Sequence, residues 1–182
     1  MRLYHAGLTE IVHPDVTRGR ANADFGQGFY LATERAFALR WARWRSGAEV
    51  RINAYDLDTQ GLVVHTFERD AAWFDYIFAN RGGRPDELEA DVVMGPIAND
   101  TIFDTLGIAT SGLLTPEQSL ELLMVGPCYR QVALKTTRAA DHLTWVSAET
   151  PGTDELRQAR ENVAVAEAAF LKEFTAKLDE LL

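Results

Sequence analysis

Asp24-Phe25-Gly26-Gln27-Gly28-Phe29-Tyr30 is the stretch on which the fold turns. Two glycines flanking one residue let the backbone bend tightly, and Phe29-Tyr30 open an apolar run through Leu31 and Ala32. Gly28 to Ala32 is therefore expected as a strand, entered from a polar loop over Arg18 to Asp24. Gly26-Gln27-Gly28 is not a dinucleotide fingerprint, because the GxGxxG pattern is incomplete and opens no helix directly. Downstream, Thr33 is expected as a helix cap with Glu34 in the first turn. Phe37, Trp41 and Trp44 then recur at helical spacing until Gly47.

Upstream, Leu3 to Ala6 is expected as a first strand ending in a turn at Gly7, and Ile11 to Val16 as extended chain, since Pro14 disfavours helix at His13. Val50 to Leu57 alternates apolar and polar residues in the manner of a half-buried strand. Leu62 to Val64 and Val92 to Met94 are short apolar runs expected as buried strands, and Tyr129 to Lys135 as a further one. Helices are expected over Asp70–Asn80, Asn99–Leu106 and Thr115–Val125, the last opened by Thr115-Pro116-Glu117. Arg81 to Pro85 is a turn-rich loop, and Thr137 to Val146 a short helix or turn. From Asp154 to Leu182 there is neither Gly nor Pro. Leu156, Val163, Phe170, Phe174 and Leu178 keep mostly one face, so a long amphipathic helix is expected. Strands and helices without regular βαβ alternation argue an α+β fold. The expected organisation is a domain over 1–150 with a helical extension over 151–182.

The 182 residues carry a net charge of −9 and no dense run of Lys and Arg, which disfavours non-specific nucleic-acid binding. The denser group Arg35, Arg40, Arg43, Arg45 and Arg51 is read as a solvated helix face. No apolar run suffices to span a bilayer, and the N-terminus turns polar too soon for a secretory signal, so a cytoplasmic chain is expected. A single cysteine, Cys128, excludes an internal disulfide and any Cys-rich metal site. His5, His13, His65 and His142 show no ligand spacing, so no metal is expected. P-loop and nucleophile-elbow signatures are absent too.

Taken together, three ordered blocks carry more than any single residue. Tyr4-His5 stands near the start, Gly28-Phe29-Tyr30-Leu31-Ala32-Thr33 some way on, and Trp41 one helix further. These resemble the nicotinamide-binding elements of diphtheria-toxin-like and poly-ADP-ribosylating ADP-ribosyltransferases. With Asp91-Val92-Val93-Met94-Gly95-Pro96-Ile97-Ala98-Asn99-Asp100 and Gln131-Val132-Ala133-Leu134-Lys135-Thr136, the chain over 3–146 resembles a bacterial domain-of-unknown-function family placed in that superfamily. The resemblance implies a split β-sheet sandwich with flanking helices and NAD as substrate.

It also implies roles. His5, Tyr30 and Gln131 form the expected catalytic set. Tyr4, His5, Ala6, Gly7, Phe25, Gly28, Phe29, Tyr30 and Trp41 form the expected NAD-binding set. Tyr30 and Trp41 would face the two sides of the cationic nicotinamide ring, where a cation–π contact is worth about 0.5–2 kcal/mol. His5 would hydrogen-bond ribose hydroxyls, and the backbone of Ala6 would meet the carboxamide. Ala6-Gly7 places the glycine one position later than the family's usual one. Gln131 stands where most active members place Glu; it can bond a hydroxyl but carries no charge for an oxocarbenium-like centre. Glu117 and Glu121 are weighed as substitutes, and Asp91, Asn99 and Asp100 as shaping the acceptor side or capping a loop.

The expected function is mono-ADP-ribosylation of a macromolecule by an intracellular toxin-type enzyme, the acceptor being protein in preference to nucleic acid. The resemblance implies a small antitoxin partner. The alternatives are a catalytically weak NAD-binding interaction module, to which Gln131 and the helix 154–182 lend themselves, and an NAD glycohydrolase. That helix is read either as a homodimer seam or as docked on its own domain.

Overall fold

The computed structural model describes residues 1–42, 49–98 and 114–182. The alternating run around Ala54 forms β3 (Arg51–Leu57), which pairs antiparallel on one side with β1 (Arg2–Gly7) and on the other with β7 (Leu143–Glu149). The aromatic run Phe29–Ala32 is β2, antiparallel to β6 (Arg130–Leu134). Then come β5 (Val92–Pro96), antiparallel to β6, and β4 (Val64–Thr66), parallel to β5. The seven strands make one mixed sheet in the order β4-β5-β6-β2-β1-β3-β7.

The two halves of that sheet meet at β1 and β2, where the register is confined to Tyr4 opposite Ala32. By contrast, β1 and β3 stay in register from Arg2 opposite Asp56 to Gly7 opposite Arg51. The β1–β2 junction is therefore the narrowest in the sheet, a seam bordered by His5, Ala6 and Gly7 on one strand and Phe29 and Tyr30 on the other. Gly28 lets the chain run close against β6 as it enters β2: a Cβ there would stand 2.6 Å from the Leu134 carbonyl oxygen.

Five helices are described: α1 (Arg35–Arg40), α2 (Ala71–Arg81), α3 (Pro116–Leu123), α4 (Thr137–Asp141) and α5 (Thr153–Leu181). Asp70 caps α2 through the Trp73 amide, and Thr115 with Gln118 forms a reciprocal capping box on α3, which satisfies donors that a helix start leaves unpaired. On one face of the sheet Phe25, Val93 and Ala133 pack with Trp73 and Ile77 of α2, Leu122 and Leu123 of α3, and Phe170 and Phe174 of α5. On the other, Leu3, Phe29, Leu31, Tyr55, Val132 and Leu134 pack beneath Val16 and Ala139.

Several expectations need correction. Thr33 is not the cap of α1: Glu34 occupies that position without a side-chain bond. Gly7 continues β1 instead of turning. Of the stretch expected as extended, Asp15 is extended (φ −105°, ψ 110°), but Val16 already belongs to a short 3-10 turn over Val16–Arg18 that Asp15 caps. The strand expected at Leu62–Val64 lies at Val64–Thr66. The span Thr137–Val146 holds α4 and then the start of an unforeseen strand, β7. The expected helix at Asn99–Leu106 and the segment holding Arg43, Trp44, Arg45 and Gly47 lie outside the described residues. The stripe on α5 is spent internally: Leu156 packs with Leu39, Val50 and Ile52, while Phe170 and Phe174 close the core below Phe25. The helix docks on its own domain, the second of the two readings above.

Candidate functional site

Asp24 is the hub of the region where the signature residues converge. It is 5% exposed, yet every group meeting its carboxylate is an N–H donor. Arg81 Nε donates to Oδ1 at 2.6 Å, and the Ala98 amide and Gln131 Nε2 donate to Oδ2 at 3.0 and 2.9 Å. Burial is the largest influence and holds the Asp24 carboxyl above its ordinary value, against the opposing pull of the Arg81 cation and these hydrogen bonds. All three contacts are donors and none accepts a proton from Asp24, which favours the ionised carboxylate.

Phe25 follows with none of its surface exposed, stacked with Phe67, Tyr76 and Tyr30. Gly26 has φ +70°, and a Cβ there would lie 2.8 Å from Asn80 Oδ1 and 2.9 Å from Lys135 Nζ. Only glycine fits that position. Lys135 donates to the Phe25 carbonyl and pairs with Asp86 at 2.8 Å, so a half-buried cation and its partner wall the loop. Gln27 reaches back through Nε2 to the Thr17 carbonyl at 2.6 Å and the Gly19 carbonyl at 3.2 Å.

Tyr30 closes the loop on itself. Its hydroxyl donates to the Gly26 carbonyl at 2.6 Å and accepts from the Phe25 amide at 2.9 Å. Burial raises the phenol far above its ordinary value, so it stays neutral. Its ring remains half-buried.

His5 spans the seam, with Nδ1 2.8 Å from the Tyr30 carbonyl oxygen. A carbonyl only accepts, so Nδ1 carries the proton and Nε2 is left as an acceptor. Burial lowers the imidazole's pKa, which favours that neutral form. The ring lies 4.5 Å from that of Phe29. The strand register puts Tyr4, Tyr30, Ala32 and Gln131 on one face and His5, Phe29 and Leu31 on the other. The structure thus brings Tyr30, Gln131 and Tyr4 to one face, while His5 meets Tyr30 only through its backbone.

Trp41 sits at the C-cap of α1, 37% exposed, edge-on to Phe37 at 4.6 Å. Phe37 in turn stacks on Tyr129, over which the Arg40 guanidinium lies at 4.6 Å. No ring contact joins Trp41 to Tyr30 among the described residues. Phe25 and Phe29 are core residues, one on each face of the sheet, and Ala6 packs beside Leu39 and Ile52. Gly7 needs no glycine for space, since a Cβ there would come no closer than 3.4 Å to its nearest neighbour, Ile11 Cδ1.

The acids weighed as substitutes are committed elsewhere. Glu117 is exposed in the first turn of α3, and Glu121 pairs with Lys177 of α5 at 3.0 Å. Asp91 accepts from the Val63 amide and the Thr136 hydroxyl at 2.9 and 2.7 Å, a loop-fastening role. Asn99 and Asp100 lie outside the described residues. The residues that sequence reasoning missed are Arg81 and the carboxylate of Asp24. Their only signal is Asp24 at the head of the glycine segment, because their partners lie far along the chain. No group of His, Cys, Asp and Glu suited to a metal ion occurs among the described residues. Nor is any described helix long and apolar enough to cross a membrane.

Residues 1–145 match the family model described as a protein of unknown function, DUF3990, and the chain belongs to that family. No curated protein matches the chain.

Proposed function

From membership of that family as premise, we propose that the chain binds NAD at the seam between β1 and β2 and transfers its ADP-ribosyl group to a macromolecular acceptor. The observation that carries the reading is the narrow junction of β1 and β2, paired at Tyr4 opposite Ala32, with His5, Tyr30 and Gln131 on the strands around it. A divided sheet is what the resemblance to ADP-ribosyltransferases implies for a nicotinamide site. The residues suit the substrate: a half-buried aromatic face at Tyr30 for the cationic ring, and a neutral imidazole with Nε2 accepting from a ribose hydroxyl. In the proposed reaction the bond between the ribose anomeric carbon and the nicotinamide nitrogen breaks. Nicotinamide leaves with the bonding pair, and an acceptor nucleophile attacks the carbon and gives up its proton. With Gln131 in place of a carboxylate, charge stabilisation at the sugar is weaker, worth roughly 3–4 kcal/mol by analogy with one lost oxyanion donor. Turnover is accordingly slow. The −9 net charge favours a protein acceptor over a nucleic acid, and a small antitoxin partner belongs to the same proposal.

A second reading, an NAD-binding module without turnover, is favoured by one observation: the Tyr30 hydroxyl, the Gln131 amide and the Asp24 carboxylate are all held by internal partners. Labelled NAD incubated with the protein and a cell lysate, alongside Tyr30→Ala and Gln131→Ala, separates these. Label on macromolecules, lost in Tyr30→Ala, supports transfer. Free ADP-ribose indicates hydrolysis, and calorimetric binding with neither product indicates the module. No binding at all removes the NAD reading.

A further inference from the structure

Gln131 is 4% exposed, and its side chain has two chemically different ends. The end facing Asp24 Oδ2, at 2.9 Å, must be the NH2 group, because an ionised carboxylate offers no proton. Arg81 and the Ala98 amide occupy the rest of that carboxylate, and they too donate. Gln131 therefore has one available orientation, with Oε1 turned away from Asp24. Oε1 has no hydrogen-bond partner among the described residues.

We infer that Asp24 is a positioning residue that fixes Gln131 as an acceptor, so that the site selects a hydroxyl donor of its ligand through Oε1. This rests on the NAD reading, in which that donor is a ribose hydroxyl. The pairing also accounts for Gln at 131. A Glu there would set two carboxylates within hydrogen-bond distance, and one of them would have to hold a proton. Asp24 and Gln131 are thus a matched pair: the charge sits one residue behind the amide that meets the ligand, and an amide bonded to a carboxylate has its carbonyl oxygen polarised toward greater negative charge.

The match makes a reciprocal exchange informative. In Asp24→Asn, the residue at 24 can turn either end to Gln131, and the amide at 131 loses its fixed orientation. In Gln131→Glu alone, the acids oppose each other. In the double variant the amide at 24 donates to the carboxylate at 131, and the bond returns with its polarity reversed. The experiment uses the 15N-labelled full chain, with NAD affinity from calorimetry and the side-chain amide resonances of Gln131, identified by their loss in Gln131→Glu.

In the wild-type chain one Gln131 amide proton is expected downfield and slow to exchange, as a proton bonded to a carboxylate is. Asp24→Asn is expected to return it to the free-amide position and to weaken NAD binding about tenfold, or 1.4 kcal/mol. Gln131→Glu is expected to weaken binding at least as much, and the double variant to recover to within about threefold of wild type. A purely structural role for Asp24 gives no recovery, and a double variant no better than Gln131→Glu overturns the inference even if Asp24→Asn fails to fold. An ordinary Gln131 resonance in a chain that binds NAD also overturns it, and leaves the proposed function standing. A downfield resonance without NAD binding removes the proposed function, and with it the ligand assigned to Oε1.

Discussion

Replacing Gly26 by alanine tests the geometry of the central loop most directly. At φ +70° an L residue pays roughly 1–2 kcal/mol for the left-handed backbone. The added carbon also falls 2.8 Å from Asn80 Oδ1, 2.9 Å from Lys135 Nζ and 3.2 Å from Asp86 Oδ2. Those groups cannot simply swing aside. Asn80 is bonded to the Tyr76 and Asp24 carbonyls, and Lys135 holds both Asp86 and the Phe25 carbonyl. Leaving one buried polar group short of a partner costs about 1–3 kcal/mol. The expected loss is therefore about 2–5 kcal/mol, and at about 2–4 °C per kcal/mol for a chain of this size the melting temperature drops roughly 4–20 °C. Gly83 supplies the control. Its φ is +72°, and a Cβ there meets nothing within 4 Å, so Gly83→Ala carries the backbone cost alone. Urea denaturation and thermal melts of the two variants against wild type read the difference, about 1–3 kcal/mol in favour of the greater loss at Gly26. Equal losses would refute the packed polar wall around that loop.

Tyr30→Phe removes the hydroxyl that serves both the Phe25 amide and the Gly26 carbonyl, and a stability loss of about 1–3 kcal/mol is expected by urea titration; an unchanged midpoint would refute that role. His5 has a pKa lowered by burial, so below its ordinary value of 6.5 the unfolded chain takes up a proton that the folded chain resists. Its contribution to stability is complete above that pH and declines as the pH falls toward the folded value. Denaturation midpoints between pH 8 and pH 5 should show this decline in wild type and a smaller one in His5→Gln. Phe170→Ala empties a buried aromatic site on α5 and is expected to cost about 3–5 kcal/mol. If instead the melt is unaffected, α5 is not part of the core.

Legibility followed locality. Asp70 before Trp73 and Thr115 before Gln118 announce helix starts because a cap and its amide lie within one turn. Thr33 misled for the same reason: its hydroxyl is a good local acceptor, but the cap of α1 falls one residue later, at Glu34. The edge strand β7 escaped notice because a register shift opposite Ala54 and Tyr55 breaks its alternation, leaving Val146 and Ser147 both exposed.

By itself the sequence determined the α+β class, the strand at Phe29–Ala32, the long terminal helix and the glycine segment ahead of Tyr30. Each depends on periodicity or turn chemistry within a few residues. Tertiary structure alone decided that β1 and β2 join the two halves of the sheet through one register pair, that α5 closes its own domain, and that Asp24 answers Arg81, Ala98 and Gln131. Those partners stand 57, 74 and 107 positions from Asp24. A hydrogen bond over such separations leaves no spacing in the sequence, because its geometry exists only once the strands between have paired.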